Sequence, residues 1–216
     1  MKILVTGFDP FDGEAVNPAW EAVRRLPSTL QGAQIVTAQV PTVFGDAIAK
    51  VRNLVELHHP DAIVNVGQAG GRQGITVERV AINIDDARIA DNAGNTPIDQ
   101  PVVNGGPAAY FATVPIKAMV AAIRSVGLPG MVSNTAGTFV CNHLMYGSLF
   151  LAEEYSAQEH PVRAGFIHVP FLPEQVEQRP EMPSMSLDDI VAGLSAAIGA
   201  IVTTTTDLHA AEGTEF

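Results

Sequence analysis

Short runs of β-branched and other apolar residues alternate with stretches of helical period, and this alternation limits the fold more than any other feature of the chain. Runs of strand length lie at Lys2–Thr6, Gln34–Val40, Ala62–Val66, Thr76–Ile84, Gly130–Ser133 and Arg163–Val169. Helical patterns fall between them at Pro18–Leu26, Asp46–His58, Pro115–Ser125 and Asn142–Tyr155, with a last one at Leu187–Ile201. Strands that return through helices run parallel, and a parallel sheet has to be covered on both faces. The expected architecture is therefore an α/β fold in one domain over residues 1–216, a three-layer α/β/α with a largely parallel, mixed and twisted central sheet. Hydrophobic residues make up 47% of the chain and charged residues 16%, which is enough apolar material to fill both sides of such a sheet. Ser186 with Asp189 three residues on marks the start of the last helix. Pro115 suits the first turn of its helix, and the threonines 203–206 predict a tail that frays after Ile201. Residues 85–106, with Asn-Gly-Gly and two prolines, read as a long irregular loop of the kind that carries function.

The charge balance narrows the partners. A net charge of −11 with no basic run argues against nucleic acid and against an anionic membrane surface. The chain enters a strand directly at Met1–Gly7, without the apolar core and cleavage site of a signal peptide. The longest apolar tract, Ile190–Val202, is broken by Gly193, Ser195 and Gly199 and is too short to span a bilayer. A lone cysteine permits no internal disulfide and suits a reducing compartment. The protein is expected to be soluble and cytoplasmic.

That cysteine, Cys141, follows a turn of small residues after the apolar Gly130-Met131-Val132 and opens a helical segment. A helix N-terminus presents unpaired N–H groups and the positive end of the macrodipole, which favour a thiolate. A lone cysteine is equally at home as a small buried hydrophobe, so its meaning depends on a base and an acid elsewhere. Of the six histidines, His58 and His59 end a helix, His160 precedes a proline in a polar loop, and His209 lies in the tail. His143, two residues from Cys141 on a helix, points about 200° away from it. His168 remains, near the end of an apolar strand, where sites assemble in parallel sheets; the alternative is a core histidine satisfied by backbone. For the acid, a period of two places Glu78 on one strand face with Val80, Ile82 and Ile84. A carboxylate among apolar positions needs a partner, either His168 or an arginine such as Arg79. Cys141, His168 and Glu78 thus form a candidate nucleophile, base and orienting acid.

Two loops accompany them. Gly67-Gln68-Ala69-Gly70-Gly71 follows a strand and can expose backbone N–H groups, but it has neither the lysine of a P-loop nor Rossmann spacing. Phe8 and Phe11 stand in a polar turn after the first strand, where aromatics either pack onto the core or line a pocket.

The stretch from Gly67 through Arg72 and Ile75 to Asn83, the segment Ser133–Asn142, and Gly165-Phe166-Ile167-His168-Val169-Pro170 resemble the glutamate, cysteine and histidine signatures of the pyroglutamyl peptidase I (pyrrolidone-carboxylate peptidase) family. Thr6–Phe11 and Val16-Asn17-Pro18 are similar to its opening loop, and the likeness runs from Lys2 to about Ser186 in order and spacing. The resemblance implies a cytosolic cysteine peptidase, without metal or cofactor, that removes N-terminal pyroglutamate from peptides through a thioester, with the triad on Cys141, His168 and Glu78. It further implies substrate contacts at Phe8, Phe11, Asn17, Gln68, Phe139 and Val140, an oxyanion-assisting Arg88, and a homo-oligomer, by family habit a tetramer. One departure stands out: Asp12 occupies a position that is usually glycine in the family. The rival readings are a small-ligand-binding or nucleoside-phosphorylase-like α/β protein with a structural Cys141, or a metal held by Cys141, His143 and another histidine.

Overall fold

The computed structural model describes residues 1–157 and 161–213; His160 falls outside them. In chain order the elements are β1 (Lys2–Phe8), α1 (Pro18–Val23), β2 (Thr29–Leu30), β3 (Ala33–Val40), α2 (Asp46–His58), β4 (Ala62–Gln68), β5 (Ile75–Glu78), β6 (Val80–Ile82), β7 (Ala109–Phe111), α3 (Ile116–Ser125), β8 (Gly130–Ser133), α4 (Val140–Ser156), β9 (Arg163–Val169) and α5 (Leu187–Thr203). One seven-stranded sheet runs in the order β2-β3-β1-β4-β9-β5-β8. The β3-β1-β4-β9 block is parallel; β5 runs antiparallel to β9 and parallel to β8, and β2 is an antiparallel edge. On one face Val5, Val64, Val66, Val77 and Ile167 pack with the apolar sides of α1, α3 and α5. On the other, Leu4, Ile63, Ala164 and Phe166 pack with α2 and α4. This is the expected three-layer mixed sheet. β1, β4 and β9 are buried almost throughout because both faces are covered.

The run Thr76–Ile84 departs from the expectation of one strand. β5 stops at Glu78 because its neighbour β8 stops at Ser133; the Arg79 N–H bonds the Ser133 carbonyl at 2.8 Å, and the ladder ends there. The chain then turns away, and β6 pairs with β7 in a separate two-stranded sheet. The expected shared face of Glu78, Val80, Ile82 and Ile84 does not exist. Ile75 to Glu78 are buried on both faces, whereas Ile84 is 39% exposed. Glu78 is buried because β5 is a central strand, which alternation could not reveal.

Two helix ends also differ. Pro115 is the residue before α3 and not part of its first turn. The open N–H groups of Lys117 and Ala118 are instead capped from a distance by the Asp207 carboxylate, at 2.9–3.1 Å. The described part of the tail, up to residue 213, is consequently tied to α3. Lys117 Nζ bonds Ala210 O, and Arg124 grips the Glu212 carboxylate with two nitrogens. α1 ends at Val23, short of Leu26, where the Arg25 and Leu26 N–H groups bond the carbonyls of Ala22 and Val23 in a tighter turn.

Candidate active site

The sheet assembles the site by register. Gly67 of β4 lies beside His168 of β9, and Thr76 of β5 lies across from His168 on the other side. With a period of two, Asn65, Gly67, Phe166, His168, Thr76 and Glu78 all face α4. His168 Nδ1 meets Glu78 Oε1 at 2.7 Å, with both side chains almost wholly buried. Cys141 is the second residue of α4, after Phe139 at the cap position. Its Sγ hangs over Gly67: a Cβ built there would sit 2.9 Å from the sulfur and 2.9 Å from Phe166 Cζ. The β4–β9 pairing thus sets the thiol over the strand neighbour of the imidazole, a close approach that only glycine permits.

Glu78 would be pushed up by burial, but the His168 N–H, the Arg72 guanidinium and the Ser133 hydroxyl overcome this and hold its carboxyl below the usual range. Burial, with Arg72, keeps His168 below the ordinary imidazole value against the pull of Glu78. An ionised Glu78 can only accept, so Nδ1 carries the proton and Nε2 keeps its lone pair. Burial, reinforced by the Glu78 charge, pushes the Cys141 thiol up to about 12, with Arg72 opposing. This runs against the expectation of a ready thiolate. A helix start favours a thiolate in principle, but desolvation opposes it here and favours a neutral thiol beside a neutral imidazole.

The turn before Cys141 is braced from several sides. Asn142, 1% exposed, pairs edge-on with β6: its Oδ1 accepts from Ile82 N–H at 2.9 Å, and its Nδ2 donates to Ile82 O and Ile84 O at 2.9 and 3.0 Å. Asp86 N–H donates to Thr138 O at 3.0 Å, and Thr138 Oγ1 donates to Asp86 O at 2.8 Å. The Asp85–Arg88 segment therefore lies against the turn that leads to Cys141, with Arg88 exposed and making no hydrogen bond or ion pair among the described residues. The N–H groups of Val140 and Cys141, at the head of α4, have no backbone acceptor among those residues either.

The remaining sequence candidates divide in two. Phe11 and Phe139 stand 6.2 Å apart, both partly exposed. Phe44, which the sequence reading did not single out, meets Phe139 edge-on at 5.4 Å. Gln68, also partly exposed, accepts from Gln175 Nε2 at 3.1 Å. Phe8 and Val140 are instead core residues, 2% and 0% exposed. Asn17 caps α1 through Oδ1 to Ala19 N–H and donates Nδ2 to Asp9 O, so it braces the opening loop. Asp12 has a φ of +53°, the left-handed value its position called for.

His143 is spent elsewhere. Gly45 N–H donates to its Nε2 at 2.8 Å, so the proton is on Nδ1, which donates to Asp85 Oδ2 at 2.7 Å. With both ring nitrogens occupied, it is neither a base for Cys141 nor a metal ligand. Arg72 is the other residue that sequence reasoning missed. It fills the role of the alternative arginine partner for Glu78, while Arg79 turns to Asn134 and the Glu212 carbonyl.

The chain is similar to known proteins along nearly its whole length. The pyroglutamyl peptidase family model matches residues 1–204. A pyrrolidone-carboxylate peptidase of Treponema denticola is 53% identical over 214 residues, covering 99% of both chains. One of Streptococcus pyogenes is 59% identical over 202 residues, 94% of this chain and 93% of that one. The crystal structure of pyroglutamyl peptidase I from Bacillus amyloliquefaciens superposes with a TM-score of 0.91 at 50% identity, covering 97% of this chain and 99% of that chain.

Proposed function

The chain belongs to the pyroglutamyl peptidase family and is a cysteine peptidase that removes N-terminal pyroglutamate, and we propose that Cys141, His168 and Glu78 carry the reaction. Family membership displaces the ligand-binding alternative. The observation that supports the triad best is the His168–Glu78 pair, which holds the imidazole with a bare Nε2 beside the strand position over which the thiol hangs. His168 Nε2 takes the Sγ proton as sulfur attacks the pyroglutamyl carbonyl. It then gives that proton to the leaving amine as the C–N bond breaks. Water, deprotonated by the same imidazole, cleaves the thioester and restores the thiol. The Val140 and Cys141 N–H groups, assisted by Arg88, stabilise the oxyanion; donors of this kind are each worth roughly 10²–10³ in rate.

Recognition rests on the partly exposed aromatic cluster of Phe11, Phe44 and Phe139 with the Gln68 amide, a setting for a flat, uncharged lactam. Phe8 and Val140 belong to the core cluster against which Phe44 and Phe139 pack, and Asn17 braces the opening loop that carries Phe11. A prolyl or glutaminyl terminus would bring a cationic amine, and prolyl would also leave the lactam's partner unpaired. kcat/KM for pyroglutamyl-aminomethylcoumarin is expected to exceed that for the prolyl and glutaminyl analogues by roughly 10³ or more; comparable hydrolysis of the prolyl analogue would remove this basis for selectivity. We treat residues 1–216 as one peptidase domain working in the cytoplasm without cofactor; no helix among the described residues is long and apolar enough to cross a membrane. We propose that the protein works as a homotetramer, as the family resemblance implies.

A further inference from the structure

The carboxylate that orients His168 has a second partner. Glu78 is completely buried, and its Oε1 accepts from two donors, His168 Nδ1 at 2.7 Å and Arg72 Nη1 at 2.5 Å, while Oε2 makes no hydrogen bond among the described residues. Arg72 comes from the glycine loop after β4, and its side chain is three-quarters buried. The same Nη1 also bonds Thr76 Oγ1, one strand position before the acid on the same face. Nη2 donates to Thr135 O at 3.2 Å, in the turn that leads to Cys141. One planar guanidinium therefore touches the orienting acid, the strand that carries it and the turn that delivers the nucleophile.

We propose that Arg72 is a positioning residue of the triad: it keeps Glu78 an ionised hydrogen-bond acceptor, fixes the Nδ1–H tautomer of His168, and ties the acid to the nucleophile turn. The proposal rests on the triad reading given above and deepens it. The chemical reason lies in what the pair would do alone. In a dry site an isolated carboxylate and imidazole can settle as carboxylic acid and neutral ring, with the shared proton held on oxygen. A protonated Glu78 can donate to Nδ1, and the ring proton then moves to Nε2, where it blocks the lone pair that must accept from sulfur. A fixed cation on the carboxylate removes that outcome, since an oxygen held by a guanidinium is far harder to protonate. Arg72 also takes up part of the negative charge that would otherwise stabilise imidazolium, and so helps His168 rest as a neutral base. The charged and titratable groups facing His168 are Glu78 from β5, Arg72 from the glycine loop and the Cys141 thiol from α4.

The test is a pH series of kcat and KM for wild type, Arg72→Gln, Arg72→Lys, Glu78→Gln and the Arg72→Gln/Glu78→Gln pair, each checked for its melting temperature. Arg72→Gln should lower kcat/KM roughly 10- to 100-fold, the scale on which partners of an orienting group act, with the loss in kcat and little change in KM. His168 has to be neutral to accept the thiol proton, and losing Arg72 raises its pKa, so the acid limb of kcat/KM should move to higher pH. Arg72→Lys keeps the charge without the fork and should fall between the two; it carries the same reading if the glutamine variant does not fold. In the Glu78→Gln background, Arg72→Gln should change kcat/KM by less than about threefold, because its route of action is already gone. An unshifted acid limb, or the same loss in both backgrounds, would overturn the positioning role while leaving the triad standing. A harmless Glu78→Gln would overturn the triad itself, and the role of Arg72 with it.

Discussion

At the scale of single residues, the site is set by what is missing as much as by what is present. Gly67 has no side chain because Cys141 Sγ occupies the space where one would begin, 2.9 Å away. Adding a methyl group there has to displace the sulfur or the Phe166 ring. A displacement of about 1 Å in a reacting atom is worth roughly 10² in rate. Gly67→Ala is therefore expected to lower kcat/KM about 100-fold or more while the protein still folds, which steady-state kinetics alongside a thermal melt would check; wild-type kinetics would show that the sulfur works from elsewhere. The sequence made His168 and Cys141 legible through their places at a strand end and a helix start. It did not reveal that burial pushes the thiol up, because desolvation depends on neighbours from β4, β9 and α4 that no local pattern contains. Arg72 was obscured for the same reason: six residues from Glu78 along the chain, it reaches the acid only because the glycine loop folds back over β5.

At the scale of elements, the strands and helices covered on both sides were readable from apolar runs and helical period, and β8 and β9 span the residues that the pattern predicts. The long run through Glu78 misled, since a pattern of alternation carries no information about where the neighbouring strand ends. The tail misled in another way. Four threonines in a row forecast fraying, yet Asp207 is fixed by the bare N-terminus of α3, ninety residues away in sequence. That helix begins after a proline with no capping side chain of its own. Removing the distant cap by Asp207→Ala should cost about 1–2 kcal/mol, the range for lost N-caps with a favourable charge at the helix start. Urea unfolding would measure it, and an unchanged midpoint would mean that water serves α3 equally well.

At the scale of the whole molecule, the central sheet brings together groups that the sequence keeps far apart. β4, β9 and β5 are neighbours in space, and their mixed directions let one face present Gly67, His168 and Glu78 beneath the head of α4. In the proposed mechanism catalytic power comes from that fixed geometry, with His168 as the base that takes the thiol proton. The protein has a single cysteine, so the claim can be tested at one atom. Cys141→Ala removes the sulfur and leaves the His168–Glu78 pair, the aromatic cluster and the α4 cap in place. The decisive measurement is kcat/KM of Cys141→Ala on pyroglutamyl-aminomethylcoumarin, with the melting temperature recorded beside it. The expected result is a folded protein whose turnover cannot be distinguished from the uncatalysed background, whereas turnover within about tenfold of wild type, a loss of only about 1.4 kcal/mol in transition-state stabilisation, would contradict a thioester at Cys141.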